Sequence, residues 1–209
     1  YLRGLTMEKY IEVRWHGRAQ QGVVTAAKLL AEAALREGKY VQAFPEFGPE
    51  RMGAPVRAYN RISDKPIRLH CQVKNPDIVL IVDPTLIGTR LSGGLESPGS
   101  LSDGVKDDSI FIVNTTKPSE TMRRELGLDG KGKVFTIDAS RISMDKIGRH
   151  LPNTVMLGAL AKVTSVIGLS SLIDNFRENY SKKFPQKVVE GNIEAMKKGF
   201  EEVKGNEKG

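Results

Sequence analysis

The chain has 209 residues, 39% of them hydrophobic and 27% charged, with a net charge of +7. That balance suits one soluble domain with a full hydrophobic core, and no apolar run reaches the ~20 residues of a membrane-spanning helix. Cys71 is the only cysteine and His16, His70 and His150 lie far apart, so the chain has no means of forming an internal disulfide, a four-cysteine iron–sulfur site or a metal site of ordinary ligand spacing.

The first eight residues lack the apolar core of a secretory signal, and a cytosolic location is expected. Met7 is a candidate initiator, with residues 1–6 an extension. Residues 11–15 (IEVRW) alternate apolar and polar and predict a strand. Gly17 and Gly22 bracket a turn, and residues 21–35 predict a helix. Its polar stripe is Lys28, Glu32 and Arg36, and Gly38 is its C-terminal stop. Residues 40–44 predict a second strand, so the opening reads as the start of a βαβ crossover. Residues 45–55 (PEFGPERMGAP) are a shaped loop. Residues 56–62 and 65–69, flanking Ser63 and Asp64, predict a β-hairpin.

Residues 78–82 (IVLIV) are apolar on both faces, as in a central parallel strand. Residues 88–104, rich in glycine and serine, predict a surface loop. Residues 110–113 and 134–137 predict two more buried strands, with a helix over 119–126 between them. Helices are then expected over 140–148, 154–167 and 170–180. In residues 185–203, Val189, Ile193, Met196, Phe200 and Val203 form one apolar stripe of a last helix. The expected fold is a three-layer α/β/α domain over residues 11–204, with a mostly parallel sheet, a β-hairpin insertion and a helical C-terminal portion. Residues 1–10 and 205–209 flank it.

Three stretches carry candidate chemistry. At the first strand-to-helix turn, Gly17 and Gly22 allow close backbone approach to an anion. The helix N-terminus adds partial positive charge, and Arg18 a fork of donors. The plain alternative is a tight turn with a surface arginine; the dinucleotide fingerprint fails because Ala19 stands at its second glycine. In the proline-rich loop, Glu46, Glu50 and Arg51 either meet a ligand or partner, or form a local ion pair. Asn114, Thr115 and Thr116 either line the same sheet edge as Arg18 or cap the next helix, and capping is the preferred reading. Cys71 and His70, as strand neighbours, would point to opposite faces and make no catalytic pair. No dense basic block with interleaved aromatics argues for nucleic acid.

The run from His16-Gly17-Arg18 to Gln21-Gly22, followed by an Ala/Leu helix, resembles the H-G-R-x-G-Q-G opening of 2-oxoacid:ferredoxin oxidoreductase gamma subunits. PEFGPERMGAP, Asn75-Pro76-Asp77 and the block Asn153-Thr154-Val155-Met156-Leu157-Gly158 resemble further signatures of that family, in order along nearly the whole chain. The ending Gly53-Ala54-Pro55 looks most like the pyruvate and branched-chain members. The family usually has Gly where this chain has Gln20. The resemblance implies a complex that converts a 2-oxoacid and coenzyme A to acyl-CoA and carbon dioxide, passing electrons to ferredoxin. Thiamine diphosphate (with magnesium) would sit on partner alpha and beta subunits, and iron–sulfur clusters on beta and delta. The gamma subunit would hold no cofactor, be inert alone, bind neither nucleic acid nor membrane, and assist the approach of coenzyme A. Candidate contacts are Gly17, Arg18, Gln21, Gly22, Arg51 and Asn114. Competing readings are a stand-alone nucleotide- or coenzyme A-binding module and a basic nucleic-acid-binding protein.

Overall fold

The computed structural model describes residues 10–46, 53–88 and 101–205. Seven strands form one sheet in the order β2-β3-β1-β4-β5-β6-β7. They are β1 (Ile11–Arg18), β2 (Tyr40–Glu46), β3 (Pro55–Ser63), β4 (Ile78–Ile81), β5 (Ile110–Asn114), β6 (Lys133–Ile137) and β7 (Lys204–Gly205). Strands β1, β4, β5 and β6 run parallel. Antiparallel pairs extend both sides: β3 on β1, β2 on β3, and β7 on β6. The helices are α1 (Val23–Arg36), α2 (Ser119–Glu125), α3 (Ala139–Ile147), α4 (Asn153–Val163), α5 (Leu169–Tyr180) and α6 (Gln186–Glu202). No described helix is long and apolar enough to cross a membrane.

The α/β fold is as expected, but the helices divide unequally. On one face, α1, α3, α4, α5 and α6 bury a single core that includes Val13, Trp15, Leu30, Ile112, Met156 and Ile193. On the other, α2 covers only the parallel half, where Val79, Ile81, Phe111 and Val113 meet Met122, Leu126 and Leu128. Residues of β4 are buried throughout because both of its faces are covered. Helix α4 is the central helix of the larger layer, buried at every position from Asn153 to Leu160. It crosses α6 closely: a Cβ on Gly158 would overlap the carbonyl of Met196, and one on Gly199 the carbonyl of Val155. The stripe of α6 packs as its spacing predicts, with Val189, Ile193 and Met196 buried.

Helix α1 lies on the hairpin half of the sheet. Its link is a buried polar relay: Trp15 Nε1 donates to Asn60 Oδ1 at 2.8 Å, and Asn60 Nδ2 donates to the Ala27 carbonyl at 2.8 Å. Gly38, at φ 80°, ends this helix as expected.

Two expectations are corrected. The outer antiparallel partner of β3 is β2, and not residues 65–69. That segment is irregular and mostly exposed. Pro66 lacks a ladder donor and the Lys65 N–H turns back to Ser63 Oγ at 3.1 Å, which ends the strand. Strand β3 also lies between β1 and β2, so the first crossover skips a place in the sheet. Helix α4 stops at Val163 rather than 167. Thr164 takes an extended backbone while its hydroxyl donates to the Leu160 carbonyl at 2.8 Å, drawing the chain out of the helical ladder. Most of the predicted loop 88–104 lies outside the described residues, and 101–104 form turns.

Candidate functional site

The carboxyl edge of the parallel strands, where α/β sheets gather ligands, is built around the turn from β1 into α1. Gly17 has no room for a side chain, since a Cβ would collide with Val23. Gln20 holds φ 74° and Gly22 φ 75°. Both are left-handed conformations that glycine adopts most readily, so the glycine usual at position 20 in the family has a steric reason.

Arg18 is clamped. Its Nε and Nη2 donate to Thr85 Oγ1 at 3.0 and 2.9 Å, and Nη1 donates to the Gly53 carbonyl at 3.1 Å. Asp83 Oδ2 stands 3.4 Å from Nε. Gln21 closes the ring: its Oε1 accepts from the Arg18 N–H at 2.7 Å and its Nε2 donates to Asp83 Oδ2 at 2.7 Å. Asp83 Oδ1 accepts from the backbone N–H and hydroxyl of Thr85. Burial pushes the Asp83 carboxyl up, but the hydrogen bonds from Thr85 and Gln21 and the Arg18 charge outweigh it and hold the group below its ordinary 3.8. Arg18 and Gln21 therefore brace the turn against the end of β4.

What remains open at this edge is backbone. The N-terminus of α1 at Gly22 has no side-chain cap, and neither has that of α4. The two meet: Asn153, the first residue of α4, donates from Nδ2 to the Gly22 carbonyl at 3.3 Å, and its buried Oδ1 has no partner. A Cβ on Gly22 would lie 2.5 Å from Asn153 Nδ2, so the glycine permits the contact as well as the turn. The uncapped N-terminus of α1 favours an anion, whereas the first residues of α4 are buried against it.

Asn114 lies on the same edge, as expected, but its amide is committed. Nδ2 donates to the Val82 carbonyl at 2.8 Å and to Ser140 Oγ at 2.9 Å, while Oδ1 accepts from the Ser140 N–H at 3.1 Å. It therefore tethers the start of α3, and α2 begins at Pro118 with no side-chain cap. Arg51 and Glu50 lie outside the described residues. Glu46 pairs with Arg57 at 3.6 Å and accepts from the Tyr59 hydroxyl. Cys71 is exposed, and no cluster of metal-ligating side chains occurs among the described residues.

A second polar region lies over the half of the sheet that α2 leaves uncovered. Alternation along β1 and β3 turns Arg14, His16, Arg57, Tyr59 and Arg61 to this face. Arg61 is fully buried and donates to Glu12 Oε1 at 2.7 Å. Beside it, Arg14, His16, Arg57 and Tyr59 line a cavity of about 240 Å³, closed by residues 72–74 and 103–104. Arg14 and His16 are buried, and Arg14 Nε and His16 Nε2 have no hydrogen-bond partner. Burial, reinforced by the Arg14 and Arg57 charges, pushes the His16 imidazole well below 6.5. This cavity, like Asp83, Thr85 and Asn153, was not among the expected site residues. Its signal in the sequence was the strict polar alternation of β1 beside a strand apolar on both faces.

Comparison with known proteins agrees with this architecture. Residues 12–202 match the family described as pyruvate ferredoxin/flavodoxin oxidoreductase. The chain is 46% identical over 200 residues to the pyruvate synthase subunit PorC of Thermotoga maritima, covering 96% of this chain and 98% of that protein. It is 44% identical over 188 residues to the pyruvate/ketoisovalerate oxidoreductases common subunit gamma of Thermococcus kodakarensis, covering 90% and 96%. The crystal structure of the Thermotoga maritima pyruvate oxidoreductase subunit PORC superposes with a TM-score of 0.82 at 43% identity, covering 96% of this chain and all of that one. Matched along nearly its whole length, the chain belongs to the pyruvate ferredoxin/flavodoxin oxidoreductase family, as a gamma-type subunit.

Proposed function

We propose that this chain is the non-cluster gamma subunit of a pyruvate:ferredoxin oxidoreductase, packing on a thiamine diphosphate core of alpha and beta subunits beside a cluster-bearing delta subunit. In that complex the 2-oxoacid and coenzyme A give acyl-CoA and carbon dioxide, and the electrons pass to ferredoxin. The thiamine, magnesium and cluster chemistry belongs to the partners, since one exposed cysteine offers no electron carrier here. This subunit's part is to receive coenzyme A as it approaches.

The observation that carries this reading is the uncapped, partly exposed N-terminus of α1 at Gly22, packed against Asn153 and braced by Arg18 and Gln21. The backbone N–H groups of its first turn suit a phosphate of coenzyme A. Gly22 permits the turn, Gly17 is buried and lets β1 pack closely on Val23, Arg18 and Gln21 hold the turn in place, and Asn114 secures the neighbouring strand end. Arg51, which precedes β3 in the sequence, is the further contact we propose.

In the assembled complex, Arg18→Ala removes a charge-assisted set of hydrogen bonds, typically ~1.5–3 kcal/mol. The apparent affinity for coenzyme A is expected to fall roughly ten- to hundred-fold, with that for the 2-oxoacid unchanged. Arg18→Lys recovers part of the loss, because lysine lacks the planar fork. Steady-state kinetics and melting of the same variants test this. Lower melting with an unaltered coenzyme A response would make the turn structural only.

A further inference from the structure

The cavity on the uncovered half of the sheet, bordered by His16 of β1, plays no part in the function proposed above. Its lining is polar and mostly cationic: Arg14, Arg57 and Lys74 stand against the single carboxylate of Asp103. Arg57 is partly offset by Glu46, 3.6 Å away. Arg14 is fixed by donating from Nη2 to the carbonyls of Leu101 and Asp103, each at 2.9 Å, and this leaves its buried Nε aimed at nothing. His16, only 4% exposed, borders the same space with an unpaired Nε2. Buried polar atoms without partners are uncommon and costly.

We propose that this cavity binds a small oxyanion, a carboxylate or phosphate group. His16 and Arg14 would supply the buried donors, with Arg57 and Lys74 the compensating charge. The size fits, since 240 Å³ equals the liquid volume of roughly eight waters. Such a space takes a compact anion and its hydration but not a nucleotide. The chemistry fits as well. The imidazole is held neutral by burial and by the Arg14 and Arg57 charges, so it keeps one N–H to donate and adds no charge. Guanidinium groups bind carboxylate and phosphate through forked N–H donors. A cation would face three like charges, and an apolar ligand would leave both buried donors unpaired.

The test is a titration of the full chain with inorganic phosphate, and separately with acetate, at constant ionic strength with chloride as control. It is followed by the NMR signals of the His16 imidazole and by calorimetry. Saturable one-to-one binding that moves the His16 signals is expected with at least one of the two anions. Arg57→Gln should weaken it about tenfold or more, and Lys74→Gln, at the exposed rim where folding is not at risk, a few-fold. Non-saturating shifts with both anions, binding that leaves His16 unmoved, or unchanged affinity in Lys74→Gln would overturn the proposal. None of these results bears on coenzyme A at the β1–α1 turn, because neither variant touches it.

Discussion

At the scale of single residues, the left-handed turn at Gln20 is the sharpest departure from what the family usually places there. A side chain at φ 74° carries a penalty of about 1–2 kcal/mol, of which glycine's greater freedom in the unfolded chain returns roughly 0.5–1. Gln20→Gly is therefore expected to stabilise the fold by up to about 1 kcal/mol, read as a higher melting midpoint. A lower midpoint would mean that the Gln20 side chain makes a stabilising contact that outweighs the backbone strain. Part of the turn was legible in advance: Gly22 stands in it as expected, whereas Gly17 and Arg18, expected in the turn, are the last two residues of β1, which runs on past Trp15. Their partners were not. Asp83, Thr85 and Asn153 are distant in sequence, and local pattern carries no information about which strand end a guanidinium will reach. Asn114 shows the converse, since its position at the edge was readable while its commitment to Ser140 depended on where α3 begins.

At the scale of elements, the periodic segments were legible and the irregular ones were not. The stripe of α6 and the doubly apolar β4 folded as their periods predict because burial on one or both faces imposes that period. Residues 65–69 misled because a polar turn at Ser63-Asp64 looks like a hairpin turn. The partner that satisfies β3 lies upstream, across the proline-rich loop. The contact of α4 with α6 is the most constrained in the molecule. Each helix places a glycine against the other's carbonyl oxygen, which brings the backbones together with no side chain between them. Gly158→Ala is expected to force the helices apart and cost about 1–3 kcal/mol, as overpacking of a filled core does. Gly168→Ala, at an ordinary φ of -75° and with no atom nearer than 3.5 Å to the added Cβ, is the control, since it adds a methyl group without overlap or left-handed strain. Denaturant unfolding of the two variants gives the comparison. Equal losses would mean that the α4–α6 contact has slack.

At the scale of the whole molecule, the sheet has one fully covered face and one divided face. The parallel half is closed by α2, and the hairpin half presents a buried arginine–glutamate pair, a cationic cavity and the edge strand β2. The expected three even layers rested on strand and helix alternation, which predicts helices on both faces. It does not predict that the hairpin insertion displaces one layer from half of the sheet. The central claim is that this chain supports catalysis carried out elsewhere in a complex. The most direct measurement is reduction of an electron-accepting dye with pyruvate, coenzyme A, thiamine diphosphate and magnesium. The purified chain is assayed alone, and then after reconstitution with the proposed alpha, beta and delta subunits. The account predicts no turnover from the chain alone, and turnover from the reconstituted complex whose apparent affinity for coenzyme A falls when the gamma chain carries Arg18→Ala. Robust turnover by the isolated chain would contradict it.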